Sequence, residues 1–243
     1  MRSHFDPSGK EGPISQLASV SGFERLDKTE LDQLEALTEK KRYPADTAVF
    51  FQDDPSDSLY IMLSGSAKIF QTSEDGKDRI LRIVRPGNAF GELAMIEGKS
   101  RFVTVQTIEP SEMLRLSRQD FVAFAEKHTW VLWKLLAAFA ERIRRMHEDV
   151  LDLSFRDVPY RLLHTIADLV DRYGEKSPDG VRIKTPLAPS DLASMVGSTT
   201  DTVNRLLDRF ENDGLIKRVG ATWVVPDPKV LTKSLEYTAQ QSV

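Results

Sequence analysis

The sequence predicts an α+β protein in three successive parts: a sandwich or jelly roll of short strands, one long dimerisation helix, and a C-terminal winged helix-turn-helix. Three patterns carry this reading. Between Thr47 and Ser117, short β-branched and aromatic runs alternate with Gly, Pro and Asp turn signals. Leu132, Leu136, Phe139, Ile143, Met146, Val150 and Leu153 then follow one another in alternating four- and three-residue steps. That is the seam of a coiled coil, which pairs two copies of a helix. Pro189 to Val225 finally carries the spacing of two short helices, a turn and a wing.

The chain has 243 residues, 40% hydrophobic and 29% charged, enough for one large domain or two modest ones. Met1 to Pro13 lacks the apolar core of a secretory signal and no apolar run approaches a membrane span. A cytoplasmic location without a membrane partner is therefore expected. With zero cysteines, disulfides, thiolate zinc sites and cysteine nucleophiles are excluded. A net charge of −4 gives no general affinity for nucleic acid, so any DNA contact has to come from local Lys and Arg.

Element by element, Lys28 to Lys40 reads as an amphipathic helix capped by Thr29, with Leu31, Leu34 and Leu37 on one face. Strands are expected over Thr47–Phe51, Ser58–Leu63, Ala67–Gln71, Arg79–Val84, Phe102–Thr107 and Glu112–Ser117. A short helix follows over Gln119–Lys127, then the seam helix to about Phe155. Pro159 opens the next helix, Tyr160 to Tyr173, because the residue before a proline resists the α region. Gly174 to Lys184 reads as a loop or hairpin.

In the C-terminal module, Ala193 is small where two helices cross and Gly197 suits the turn between them. Ser198 and Asp201 resemble a capping box, which starts the second helix just after Ser198. Val203, Leu206, Leu207 and Phe210 form its buried side and leave Thr200, Asp201, Asn204, Arg205 and Asp208 outside. Arg205 can donate twice to a guanine edge, and Asp201 can accept from a cytosine amino group or hold Arg205. Ser190 and Thr199 suit phosphates, as do Lys217 and Arg218 on a two-stranded wing after Gly214. Between Ser190 and Val225 four basic residues face five acidic ones, so the module depends on placed contacts rather than a diffuse positive field.

The run Phe90 to Arg101 has the chemistry of a pocket for a small anion. Gly91 permits close backbone approach, Leu93 and Ala94 can present amides, Arg101 can clamp a phosphate and Glu92 can accept from a ribose hydroxyl. With Tyr43–Phe51, Asp57–Ile61, Ser64-Gly65, the seam helix, Phe155–Val158 and the winged helix, this run resembles the CRP/FNR family of bacterial transcription regulators over about residues 15 to 230. The resemblance implies a cyclic-nucleotide-binding-like β-roll over residues 15–127, a dimerisation helix over 128–156 and a winged helix-turn-helix over 157–235. It further implies a homodimer that reads a near-palindromic promoter site and works with RNA polymerase.

Two departures from that family bear on the ligand. Members that bind cyclic AMP carry a small, usually hydroxylated residue after the cassette arginine, where this chain has Phe102. The polar pair that meets adenine is here Met146 and His147. The sequence fixes no cofactor, and three readings stay open. The pocket holds a different nucleotide, such as cyclic GMP or a cyclic dinucleotide, with His147 stacking on or hydrogen-bonding the base; it holds an unrelated effector; or it is empty, with Phe102 filling it, Glu92 paired to Arg101 and the dimer already fixed in its DNA-binding form. The family's Arg–Glu–Arg reading trio is here Thr200, Asp201 and Arg205, which predicts a half-site altered at the first guanine.

Competing classes fare worse. His4, His128, His147 and His164 are scattered, without the spacing of a metal site, although a haem gas sensor is a form this family takes. No nucleophile and base combination supports an enzyme. A nucleotide-binding regulatory protein without DNA function lacks a reason for the winged helix.

Overall fold

The computed structural model describes residues 28–241. The chain begins with helix α1 (Lys28–Ala36), followed by eight strands: β1 (Thr38–Tyr43), β2 (Ala48–Phe50), β3 (Ser58–Ser64), β4 (Ala67–Thr72), β5 (Asp78–Val84), β6 (Ala89–Phe90), β7 (Thr104–Thr107) and β8 (Ser111–Ser117). Helix α2 (Glu92–Glu97) interrupts them after β6. They form two four-stranded sheets, in the orders β1-β8-β3-β6 and β2-β7-β4-β5, with every pairing antiparallel.

The facing sides of the two sheets enclose a core of Phe50, Tyr60, Met62, Val84, Phe90, Val105 and Met113. A second cluster, from Leu59, Ile61, Leu114 and Leu116, packs α1 and the helix after β8 onto the outside of the first sheet. Strand β3 is buried over six consecutive residues, which is why SLYIML lacks alternation: both of its faces are covered.

Helix α3 (Arg118–Lys127) is capped by Ser117, whose Oγ accepts from Asp120 N at 3.1 Å. The long helix α4 (Trp130–Phe155) follows. Asp157 caps α5 (Val158–Tyr173), its carboxylate accepting from Tyr160 N at 3.0 Å, with Pro159 in the first turn as its locked φ favours. The hairpin β9 (Gly174–Ser177) and β10 (Gly180–Ile183) leads to α6 (Pro189–Val196), α7 (Thr200–Asn212), the wing β11 (Lys217–Val219) and β12 (Thr222–Val225), and α8 (Pro228–Gln241).

The expected β-roll, long helix and winged helix are thus all present, with local differences. The first helix ends at Ala36, because the run from Thr38 is captured as edge strand β1 by six paired residues of β8. Thr29 lies inside the first turn of α1 rather than before it. The wing belongs to a four-stranded sheet, β11-β12-β10-β9, and not to a lone pair. The expected domain start at residue 15 and His4 lie outside the described residues.

The C-terminal module also shares a hydrophobic core with the sandwich. Phe70, Ile80 and Ile83 of the β4–β5 hairpin cluster with Leu162 and Ile166 of α5 and with Leu192 and Val196 of α6. Lys68 Nζ lies 2.8 Å from Asp191 Oδ1, and Tyr173 Oη donates to the Ile83 carbonyl at 3.1 Å. A bulge makes this possible. Ile69 pairs with Arg82 and Phe70 with Ile80, so Leu81 is the extra residue and Ile80 and Ile83 come to share one face.

Candidate functional site: a sensor cavity and a nucleic-acid interface

The short strand β6 delivers the chain to Gly91, which turns it at φ +80° into α2. Glycine suits that backbone angle, and a Cβ there would crowd Arg101 Nη1 at 2.7 Å. The approach of that guanidinium is what the glycine serves. Arg101 is 3% exposed, and it donates to the Gly91 carbonyl at 2.6 Å and the Ser58 carbonyl at 2.7 Å. Its guanidinium lies 4.1 Å from the Phe50 ring centre, a cation–π contact. Burial pulls Arg101 below the usual arginine range. Its Nε is buried and has no hydrogen-bond partner among the described residues.

Phe50, Gly91 and Arg101 line a cavity of about 40 Å³, together with Glu92, Leu93, Ala94, Phe102, Ile69, Arg82 and Arg142. A water needs about 10–15 Å³ and a typical ligand site offers roughly 300 Å³ or more, so the cavity accommodates a few waters and is closed to a nucleotide in this conformation.

Two expectations are corrected here. Glu92, 3% exposed, does not pair with Arg101: its Oε1 lies 2.8 Å from Arg142 Nη1 of α4, while Arg101 is engaged with backbone carbonyls. Nor does Phe102 fill the cavity. It is 46% exposed at the rim, because Arg101 N and O are fixed to Asp54 O (2.8 Å) and Asp53 N (2.7 Å). With residue 101 turned inward by those bonds, the next side chain points out. His147 is exposed and does not line the cavity.

Sequence reasoning missed Arg82 and Arg142. The signal for Arg82 was an arginine flanked by Leu81 and Ile83 in an apolar strand; for Arg142, a basic residue next to Ile143 of the seam. Burial first, and repulsion from Arg142 second, push Arg82 down to about 10.

At the other end, Thr199 and not Ser198 caps the second helix of the helix-turn-helix: Thr199 Oγ1 accepts from Thr202 N at 3.2 Å, and α7 begins at Thr200. One more residue is needed because Gly197, at φ +65°, still belongs to the end of α6. Val203, Leu207 and Phe210 are buried, and Thr200, Asp201, Asn204, Arg205 and Asp208 are exposed, as the pattern predicted; Leu206, expected on the buried side, is only half-buried and packs at the edge of that core. Arg205 Nε donates weakly, at 3.4 Å, to the Asp201 carbonyl oxygen rather than to its carboxylate, which leaves both side chains available. Ser190, Lys217 and Arg218 are also exposed, and Ser198 is half-buried. The Arg218 guanidinium lies 5.5 Å from the Trp223 ring centre.

Between the two ends, α4 exposes Leu132, Leu136, Ile143, Met146, Val150 and Leu153, each more than 40% accessible, while Phe139, expected in the same stripe, is half-buried. Among the described residues, no helix is long and apolar enough to cross a membrane and no group of three metal-ligating side chains forms. His128 Nδ1 lies 2.9 Å from Glu30 and His164 Nδ1 2.7 Å from Asp152, contacts that tie helices together.

Comparison with known proteins agrees with this division. The cyclic nucleotide-binding domain profile matches residues 40–128, and the Crp-like helix-turn-helix domain profile matches residues 160–234. The global transcriptional regulator CRP of Escherichia coli is 30% identical over 186 residues, 76% of this chain and 88% of that protein. The CRP-like cAMP-activated global transcriptional regulator of Mycobacterium tuberculosis is 28% identical over 89% of this chain and 97% of that protein. Among solved structures, the c-di-GMP-responsive global regulator CLP of Xanthomonas campestris superposes with a TM-score of 0.72 at 25% identity, over 83% of this chain and 100% of that one. CooA from Carboxydothermus hydrogenoformans, at 20% identity, covers 83% of this chain and 89% of that one with a TM-score of 0.69 and shares the fold. A cassette cavity, a long helix and a winged reading helix in one chain, matched by these relatives, make it a member of the CRP/FNR family: a DNA-binding transcription regulator with a cyclic-nucleotide-binding domain, and not an enzyme.

Proposed function

We propose that the protein acts in the cytoplasm as a homodimer joined along α4, reads a near-palindromic promoter site with two copies of α7, and answers to a nucleotide effector in the cassette cavity. The exposed apolar stripe on α4 carries the dimer reading. At least six large apolar side chains in heptad register would stay in water in a monomer, at roughly 25 cal/mol for each Å² left uncovered.

On DNA, Arg205, Asn204, Asp201 and Thr200 face base edges, while Ser190, Ser198, Thr199, Lys217 and Arg218 hold phosphates. The dimer presents these surfaces to the promoter and meets RNA polymerase there.

For the effector, the closed cavity supports a coupling in which the ligand displaces Arg142 from Glu92. That pair joins sensor to dimer helix, so a ligand that takes over Glu92 alters how the two α4 helices meet. The departures at Phe102 and His147 favour a cyclic nucleotide other than cyclic AMP, or a cyclic dinucleotide. The same closure gives weight to a second reading, a ligand-free dimer already competent for DNA.

DNA affinity of the nucleotide-free protein on its own promoter region, at fixed salt, with and without cyclic mono- and dinucleotides, tests these readings. Affinity that rises with one nucleotide supports the effector reading. Tight, specific binding that no nucleotide alters supports the ligand-free dimer.

A further inference from the structure

The cavity holds more positive charge than its own groups neutralise. Arg82, Arg101 and Arg142 all line it, against the single carboxylate of Glu92. Two of the three guanidiniums are fixed in place, Arg101 by the Gly91 and Ser58 carbonyls and Arg142 by the carboxylate of Glu92. Among the described residues Arg82 has one hydrogen bond, from Nη2 to the Ala89 carbonyl at 3.0 Å. A guanidinium carries five N–H donors, so most of those of Arg82 are left for water or a ligand.

The two cavity arginines outside α4 are anchored at different places. Arg101 is held at the Gly91 turn by the Gly91 and Ser58 carbonyls, whereas Arg82 stands on β5, opposite Ile69 of β4, and is bonded to the Ala89 carbonyl. Glu92 lines the cavity with both and is paired to Arg142 of α4. One end therefore has Arg101 and the turn at Gly91, suited to a phosphate. The other has Arg82, beside α4, with the apolar side chain of Ile69 as its neighbour across the strand pair. A cyclic nucleotide whose phosphate sits at the first end brings its base to the second.

From this we infer that Arg82 sets the base preference of the cavity and selects guanine, whose O6 and N7 are two adjacent acceptors that a guanidinium meets in bidentate fashion. Adenine offers N7 with an amino donor beside it, and an arginine has no acceptor for that donor. Desolvating such an unmatched donor against a buried cation is the kind of penalty that produces strong discrimination. The inference rests on the reading that the cavity binds a nucleotide, and adds which base.

The test is equilibrium binding of cyclic GMP, cyclic AMP, cyclic di-GMP and cyclic di-AMP to the full-length dimer by calorimetry, for the natural protein, Arg82→Gln and Arg82→Lys. A guanine preference of about tenfold or more is expected in the natural protein. Both variants should bring it close to one, Lys because it keeps the charge and loses the fork. Thermal melting reports whether each variant folds, and the Lys variant serves if the Gln variant does not.

If guanine and adenine ligands bind equally, or the preference survives both substitutions, the assignment to Arg82 is overturned while the nucleotide reading stands. Equal weakening of both bases by the variants also overturns it, placing Arg82 on the phosphate. If none of the four ligands binds, the nucleotide reading itself fails and the inference falls with it.

Discussion

Arg142 Nη1 of the long helix α4 lies 2.8 Å from Glu92 Oε1 of the cassette, so the element expected to join two subunits also closes the sensor. Glu92 is 3% exposed, and the Arg142 side chain is 30% exposed. Replacing Arg142 by Ala strands a buried carboxylate. The expected loss is on the order of 2 kcal/mol, below the roughly 3–5 of fully buried pairs because water reaches the arginine. In chemical denaturation, E92Q/R142A should be no less stable than E92Q alone; a midpoint unchanged in R142A would show that the pair contributes nothing.

The seam gives the second prediction. Ile143→Glu or Val150→Glu places a charge on the stripe, and sedimentation should show a shift to monomer with DNA affinity falling at least tenfold. A dimer that persists in both variants would mean that another face joins the subunits.

Gly91→Ala carries two penalties at once, a left-handed backbone at φ +80° and a Cβ 2.7 Å from Arg101 Nη1. A stability loss of about 1–3 kcal/mol is expected, with nucleotide response reduced more than DNA binding in the absence of nucleotide. Melting curves and promoter binding on the same samples separate the two effects.

On DNA, Arg205→Ala should weaken binding by about 1–3 kcal/mol and relax preference at one base of the half-site, as read by selection from randomised sites. Lys217→Ala should weaken all sequences alike and lower the slope of log affinity against log salt by about one. In the natural protein the selected half-site should differ at the base where relatives use an arginine and this chain has Thr200. A half-site identical to theirs would refute the assignment of Thr200 to that base.

What the sequence made legible was whatever depends on local period and turn chemistry. The exposed apolar stripe of α4, the Asp157-Val158-Pro159 start of α5, the turn at Gly197 and most of the buried face of α7 follow from spacing along the chain. What it concealed depends on distant partners. The run from Thr38 to Tyr43 is a strand only because β8 lies beside it, and its own residues, TEKKRY, carry little strand signal. The partner of Glu92 could not be read from the cassette, since Arg142 is 50 positions away along the chain. Phe102 looked like a plug because its size was legible and its direction was not: that direction is set by two backbone bonds of Arg101.

The bulge at Leu81 has a mechanical meaning. It puts Arg82 on the cavity side of β5 and Ile83 on the opposite side, inside the core shared with the helices of the reading module. Sensor and reader are therefore two rooms with a common wall one strand thick. The peptide that joins Arg82 to Ile83 therefore belongs at once to the lining of the cavity and to the core of the C-terminal module, with no part of α4 in between.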